Sequence, residues 1–152
     1  YLNSLDSDVK EYLRSNKKKY YKRQVDLHVS INDEFIMGVE CKSYTENAML
    51  KRVLVDFDLL KIDFPNLKCV LLQLESQLTG DYKLARNAKY GSPSSHSLMA
   101  QFPNVDLKIL TLLEGERHPK QEISKKEFEK TMFRENVEFA RDEIQKILEQ
   151  YL

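Results

Sequence analysis

Two short alternating stretches around one turn constrain this chain more than anything else in it. Val25, Leu27, Val29 and Ile31 alternate with Asp26, His28 and Ser30, and Phe35, Met37, Val39 and Cys41 alternate with Ile36, Gly38, Glu40 and Lys42. A period of two is that of a β-strand, and Asn32-Asp33-Glu34 between the stretches is a turn cluster. A hairpin turning about Asp33 sets Ile31 against Phe35, Val29 against Met37 and Asp26 across from Glu40. In this register every odd-numbered residue of both strands lies on one apolar face, and Asp26, Glu40 and Lys42 gather on the other. A slip of one residue would send each side chain to the opposite face, so the apolar pattern fixes the register. Directly opposed side chains have Cβ atoms about 4.5–5.5 Å apart, close enough for two carboxylates to share one cation. Taken alone, the same three residues also describe a surface salt-bridge cluster, a feature worth about 0–1 kcal/mol when exposed.

The chain has 152 residues, 41% hydrophobic and 32% charged, with Lys+Arg equal to Asp+Glu at 24 each. This suits one soluble domain over residues 1–152 with a single substantial core. Zero net charge gives no global argument for nucleic acid, but it leaves room for a local basic surface beside an acidic pocket. No apolar run approaches the roughly 18–20 residues of a membrane span, and no signal-peptide pattern is seen at the start of the sequence. Cys41 and Cys69 stand apart with no metal-binding spacing. A disulfide framework and a zinc site are therefore disfavoured, and a reducing, cytoplasmic setting is expected. Because residue 1 is Tyr, the chain is expected to be a trimmed piece of something longer.

Further elements follow from periodicity. Residues 4–16 read as a helix capped by Ser4 or Asp6, with Leu5, Val9, Tyr12 and Leu13 on one side. The basic run Lys17-Lys18-Lys19-Tyr20-Tyr21-Lys22-Arg23 reads either as a solvated connector or as a phosphate-contacting segment. Thr45 is placed to cap a helix over 46–63, whose Leu50, Val53, Leu54, Phe57 and Leu60 recur at helical spacing until Pro65. Residues 68–75 form an apolar run suited to a strand covered on both faces, and strand–helix–strand order implies a parallel pair. Residues 76–104 are polar and hold Lys83, Arg86, Lys89 and His96, with a short helix over 95–102. A strand over 105–113 and a charged loop over 115–120 come next. Residues 124–152 read as helix broken near Asn136, burying Phe128, Met132, Val137, Ile144, Leu148 and Tyr151.

Helix, hairpin with Asp26 then Glu40-Cys41-Lys42, amphipathic helix, buried strand and later strand: this order resembles the PD-(D/E)xK nuclease superfamily, in its type II restriction endonuclease-like form. The resemblance covers residues 4–113. It implies an α/β fold with a restriction endonuclease-like core, a mixed central sheet flanked by helices in α-β-β-β-α-β order, followed by C-terminal helices. One of the family's strands is not evident here, and Val25 stands where the family often has proline. Gln73 and Gln77 lack the tyrosine four residues on that marks the recombination nucleases.

The implied activity is Mg²⁺-dependent hydrolysis of phosphodiesters in double-stranded DNA, with Mn²⁺ able to substitute and no organic cofactor or membrane involved. Asp26, Glu40 and the Cys41 backbone carbonyl would hold the metal, and Lys42 would orient the attacking water and relieve charge on the phosphate. Glu11, His28 and Gln73 are lesser candidates. Lys17, Lys18, Lys19, Lys22, Arg23, Lys83, Arg86, Lys89 and His96 are candidates for DNA contact. Site-specific cutting of both strands implies a homodimer. Junction or repair cleavage, and a non-catalytic domain binding nucleic acid or protein, are the alternative functions.

Overall fold

The computed structural model describes residues 4–15, 24–78, 93–115, 117 and 129–152. Strands β1 (Leu27–Ile31) and β2 (Glu34–Thr45) form the hairpin. Its turn is tighter than a pivot on Asp33 requires. Asn32 and Asp33 are the two loop residues, with φ of 50° and 66°, the two positive values of a type I′ turn, whose twist matches that of the strands it joins. Ile31 therefore pairs with Glu34 and Ser30 with Phe35, while Val29–Met37, His28–Gly38 and Leu27–Val39 hold the expected register. A bulge between the two sets reconciles them: Ile36 is the extra residue on β2. The tight turn shortens the loop by one residue and the bulge restores it, so continuing the ladder by one step sets Asp26 opposite Glu40.

The bulge also corrects the single apolar face. Ile36 and Met37 both enter one hydrophobic cluster, whereas Phe35 and Val25 pack into the other, on the opposite side of the sheet. Leu27, on the edge strand, is 52% exposed, and Cys41 is exposed as well. The face expected to be polar is covered in its middle. Gly38 lies against Phe57 of helix α2 (Asn47–Asp63), leaving no room for a side chain.

The reason is the position of β2 in the sheet. The strand order is β1-β2-β3-β4, with β2, β3 (Lys68–Ser76) and β4 (Leu107–Thr111) parallel. Parallel strands joined by helical crossovers are covered on both faces. One face carries α2, with Leu50, Val53, Leu54, Phe57 and Leu60 buried against Cys69, Leu71, Leu107 and Ile109. Leu98 and Met99 of α3 (Pro93–Met99) join this cluster at its margin. The other face carries α4 (Arg134–Leu148) and the 3₁₀ turn Glu149–Tyr151, packed on Met37, Val39, Val70 and Leu110. Each fully buried aliphatic or aromatic side chain stabilises by about 1.5–3 kcal/mol relative to exposure.

Several boundaries differ from the sequence reading. β2 runs directly into α2, so among the described residues no third strand separates the hairpin from that helix, and the order is α-β-β-α-β-α-β-α. Thr45 does not cap α2. It ends β2 beside Ser76, its hydroxyl is buried with no hydrogen-bond partner among the described residues, and Glu46 is the cap residue. Helix α1 (Ser7–Ser15) starts after Asp6, whose carbonyl accepts the Lys10 N–H at 3.0 Å, but Val9 and Tyr12 are exposed rather than buried. Asn136 does not break the C-terminal helix. It lies in the first turn of α4, buried, and its Nδ2 donates to the Leu112 carbonyl at 3.1 Å. That anchor sets the helix phase, so Ala140, Ile144, Ile147 and Leu148 face the sheet, while Met132 and Val137 are exposed. Phe128, Leu13's side chain, most of the 115–120 loop and the basic residues Lys17, Lys18, Lys19, Lys22, Arg23, Lys83, Arg86 and Lys89 lie outside the described residues.

Candidate active site at the open edge of β2

β1 begins at Leu27, one residue after Asp26, and its last pair with β2 is Leu27–Val39. Beyond Val39, β2 loses its β1 neighbour but keeps β3, so Glu40-Cys41-Lys42 has one free edge. Asp26 caps that edge: the Cys41 N–H donates to Asp26 Oδ2 at 2.7 Å. The N–H and C=O of one strand residue leave by the same side, so the Cys41 carbonyl faces the same opening. Lys42 Nζ donates to Glu40 Oε1 and lies 4.0 Å from Asp26 Oδ2. The ammonium thus sits between two carboxylates that would otherwise repel each other. The Glu40 side chain is mostly buried and Asp26 half exposed, at 17% and 50% accessibility, so the group forms the floor and rim of an accessible site.

Do these residues fit a metal ion? Among the described residues, protein donors engage only Oδ2 of Asp26 and only Oε1 of Glu40, leaving each carboxylate a second oxygen. With the Cys41 carbonyl these are hard oxygen donors, the set for a hard divalent cation that keeps several of its waters. No cluster of three or more His, Cys, Asp or Glu side chains suited to a metal occurs among the described residues. A cage built wholly from side chains, such as zinc prefers, is therefore not formed there. The surroundings of the Cys41 thiol disfavour its thiolate form. Desolvation first, then the charges of Asp26 and Glu40, push its pKa up.

The lesser candidates divide. Gln73 pairs directly with Lys42 across β2 and β3 and is 1% exposed. Its Nε2 donates to Thr111 Oγ1 at 2.9 Å, and its Oε1 accepts no hydrogen bond among the described residues. His28 is exposed on β1 and stacks on Phe35, with ring centroids 4.8 Å apart. Glu11 is exposed on α1, and among the described residues no hydrogen bond or ion pair joins it to Asp26, Glu40 or Lys42. His96 is exposed on α3.

One charged group was not read from the sequence. Glu75, buried at the end of β3, has Arg117 Nη1 at 3.7 Å and Lys130 Nζ at 3.6 Å, and the Arg117 guanidinium lies over the Tyr44 ring at 4.6 Å. It follows Lys42 and Gln73 by one pleat, because Tyr44 pairs with Glu75 as Lys42 pairs with Gln73. The signal was present as Gln73 and Glu75 at alternate positions of an otherwise apolar strand.

A four-stranded mixed sheet between helices, with an Asp before one strand and Glu-x-Lys on the next, is an arrangement consistent with a restriction endonuclease-like fold. The comparison with curated proteins agrees. Over 142 residues the chain is 51% identical to the type II restriction enzyme DdeI of Desulfomicrobium norvegicum (strain DSM 1741 / NCIMB 8310), a match covering 92% of the chain. The resemblance read from Asp26 and Glu40-Cys41-Lys42 is borne out, and the chain is a relative of a type II restriction enzyme. It spans 59% of the length of that enzyme. No family profile and no solved structure matches. Among the described residues, no helix is long and apolar enough to cross a membrane.

Proposed function

We propose that this chain forms a nuclease domain that cuts double-stranded DNA in the restriction manner, with Asp26, Glu40 and Lys42 as its active site. The observation that carries this reading is the convergence of two carboxylates, one strand carbonyl and one ammonium at the open end of β2. The 51% identity to a type II restriction enzyme adds the substrate class. Mg²⁺ is the proposed cation, with Mn²⁺ able to substitute. When bound, it supplies Lewis-acid polarisation of the phosphate and lowers the pKa of bound water.

The residues divide the remaining work. Asp26 and Glu40 would hold the cation, and the Cys41 carbonyl would contribute a third oxygen donor. Asp26 also fixes the strand end by accepting the Cys41 N–H. Lys42 presents a positive charge to the attacked phosphate and orients the attacking water. DNA lies across the exposed rim formed by Asp26. The acting form is a homodimer in the cytoplasm, one copy per strand of the duplex.

Incubation of purified protein with plasmid and Mg²⁺ tests the reading. Discrete fragments are expected, and chelation by EDTA should abolish them. Asp26→Asn and Lys42→Ala should each lower the cleavage rate by about 10²–10³-fold, the range for removing one electrostatic group from a reaction centre. Retained cutting in either variant would move the active site elsewhere. Preferential cutting of branched over linear DNA would favour a junction nuclease.

A further inference from the structure

Lys42 donates to Glu40 Oε1, so the ammonium would compete with a cation for that carboxylate, although its three N–H donors leave room for further acceptors. A second acceptor would let the lysine release Glu40, and the sheet face beside it contains one. Gln73 is the direct register partner of Lys42 on β3, across an inter-strand spacing of about 4.7–4.9 Å, and paired residues of adjacent strands project from the same face. The Gln73 amide nitrogen is turned away from β2, donating to Thr111 Oγ1 on β4 at 2.9 Å. The other polar end of that amide, its Oε1, is buried with no hydrogen bond among the described residues. A buried acceptor left unused is unfavourable, so its retention beside a lysine calls for a use.

We propose that Gln73 is a positioning residue that accepts the Lys42 ammonium when Glu40 turns to a bound cation. This inference rests on the reading of Asp26, Glu40 and Lys42 as a divalent-cation site, and it adds a switch of partners within that site. Thr111 takes part only by fixing the orientation of the amide. Its hydroxyl could donate as well as accept, but beside an ammonium the amide presents its oxygen to the lysine and its NH₂ to the threonine.

Calorimetric titration with Ca²⁺, in the absence of DNA, tests the proposal independently of cleavage. Gln73→Met keeps the side-chain volume and removes the acceptor. It should weaken Ca²⁺ binding about tenfold, the scale of one hydrogen bond to a charged group. In a Lys42→Met background the same substitution should have no effect, because no ammonium then needs a new partner. Thr111→Val, which removes the same Gln73–Thr111 hydrogen bond but leaves the acceptor, should cost less than Gln73→Met. Equal losses in both Lys42 backgrounds, or an unchanged affinity in Gln73→Met, would overturn the proposal. If Gln73→Met fails to fold, Gln73→Glu keeps an acceptor oxygen in place and should bind Ca²⁺ at least as tightly as the parent; weaker binding would overturn the proposal. Undiminished Ca²⁺ binding in Asp26→Ala and Glu40→Ala would overturn the cation site itself, a result distinct from failure of the Gln73 variants alone.

Discussion

Gly38 shows how a single residue ties the site to the core. A Cβ built there would lie 3.0 Å from Phe57 Cε1, 3.2 Å from Val25 Cγ2 and 3.5 Å from Phe35 Cζ. Phe57 is fully buried within the core cluster. Gly38→Ala should therefore push the hairpin away from α2 and destabilise the protein by about 1–3 kcal/mol, the usual cost of overpacking. Urea denaturation measures this directly, and an unchanged midpoint would mean that the ring swings aside without loss. Glu40 is two residues on and on the same face, so the close packing at Gly38 also sets the level of the site above α2. The two thiols each report on their own surroundings. Burial pushes the Cys69 pKa up to about 12, and Cys41 is also pushed up. Both should therefore stay protonated at pH 8, and native protein should react with iodoacetamide more slowly than free cysteine does. Rapid loss of either thiol would contradict the burial and charge environment assigned to it.

Among the elements, α4 is held to the sheet by charge as well as by apolar contact. Glu143 on α4 accepts from Lys108 on β4 and from Lys146 one turn along at 2.7 Å, and these hydrogen bonds lower its pKa below the ordinary 4.5. A carboxyl whose folded pKa is depressed contributes stability above its unfolded pKa and loses it as pH falls through the folded value. Glu143→Gln should thus cost about 1 kcal/mol at pH 7, given that both lysines are partly exposed to solvent screening. The difference from the parent should shrink as pH falls below 4.5 and vanish in stronger acid. A difference that persists at pH 2 would assign the effect to packing instead. Much of the element plan was legible in the sequence because it is local. Alternation gave the hairpin, apolar spacing gave α2, and a continuous apolar run gave β3. The bulge at Ile36 was not legible, since it arises from two demands that meet only in the folded hairpin: a two-residue turn and a register fixed farther along by Val29–Met37. The start of α4 was hidden for a different reason. Phe133, its cap residue, makes no side-chain capping hydrogen bond, and the anchor that sets the helix phase, Asn136 to the Leu112 carbonyl, joins residues far apart in sequence. The site followed the same rule. Asp26 and Glu40-Cys41-Lys42 were readable through one hairpin, whereas the Gln73–Thr111 pair depends on the parallel crossover between β3 and β4.

For the whole molecule, the site and the fold are thermodynamically linked. The two carboxylates come together only when β1, β2 and the residues before β1 are folded, because Asp26 reaches the site through its bond to the Cys41 N–H. An unfolded chain has no such pair, so a cation that binds here stabilises the folded state by mass action. At a free concentration of one hundred times the dissociation constant the gain is about 2.7 kcal/mol. For a chain of this size each kcal/mol moves the melting temperature by roughly 2–4 °C, so saturating Mg²⁺ should raise Tm by about 5–10 °C in a thermal melt. The effect should be specific to the site. Asp26→Ala, which also removes the acceptor of the Cys41 N–H, should lower the cation-free Tm and abolish the Mg²⁺-induced rise. Lys42→Met should keep the rise and shift it to lower Mg²⁺ concentration, since it removes the ammonium that competes for Glu40. Equal Tm increases in the parent and in Asp26→Ala would show that Mg²⁺ stabilises the chain through some other surface, and the coupling of fold to site at the open end of β2 would fail.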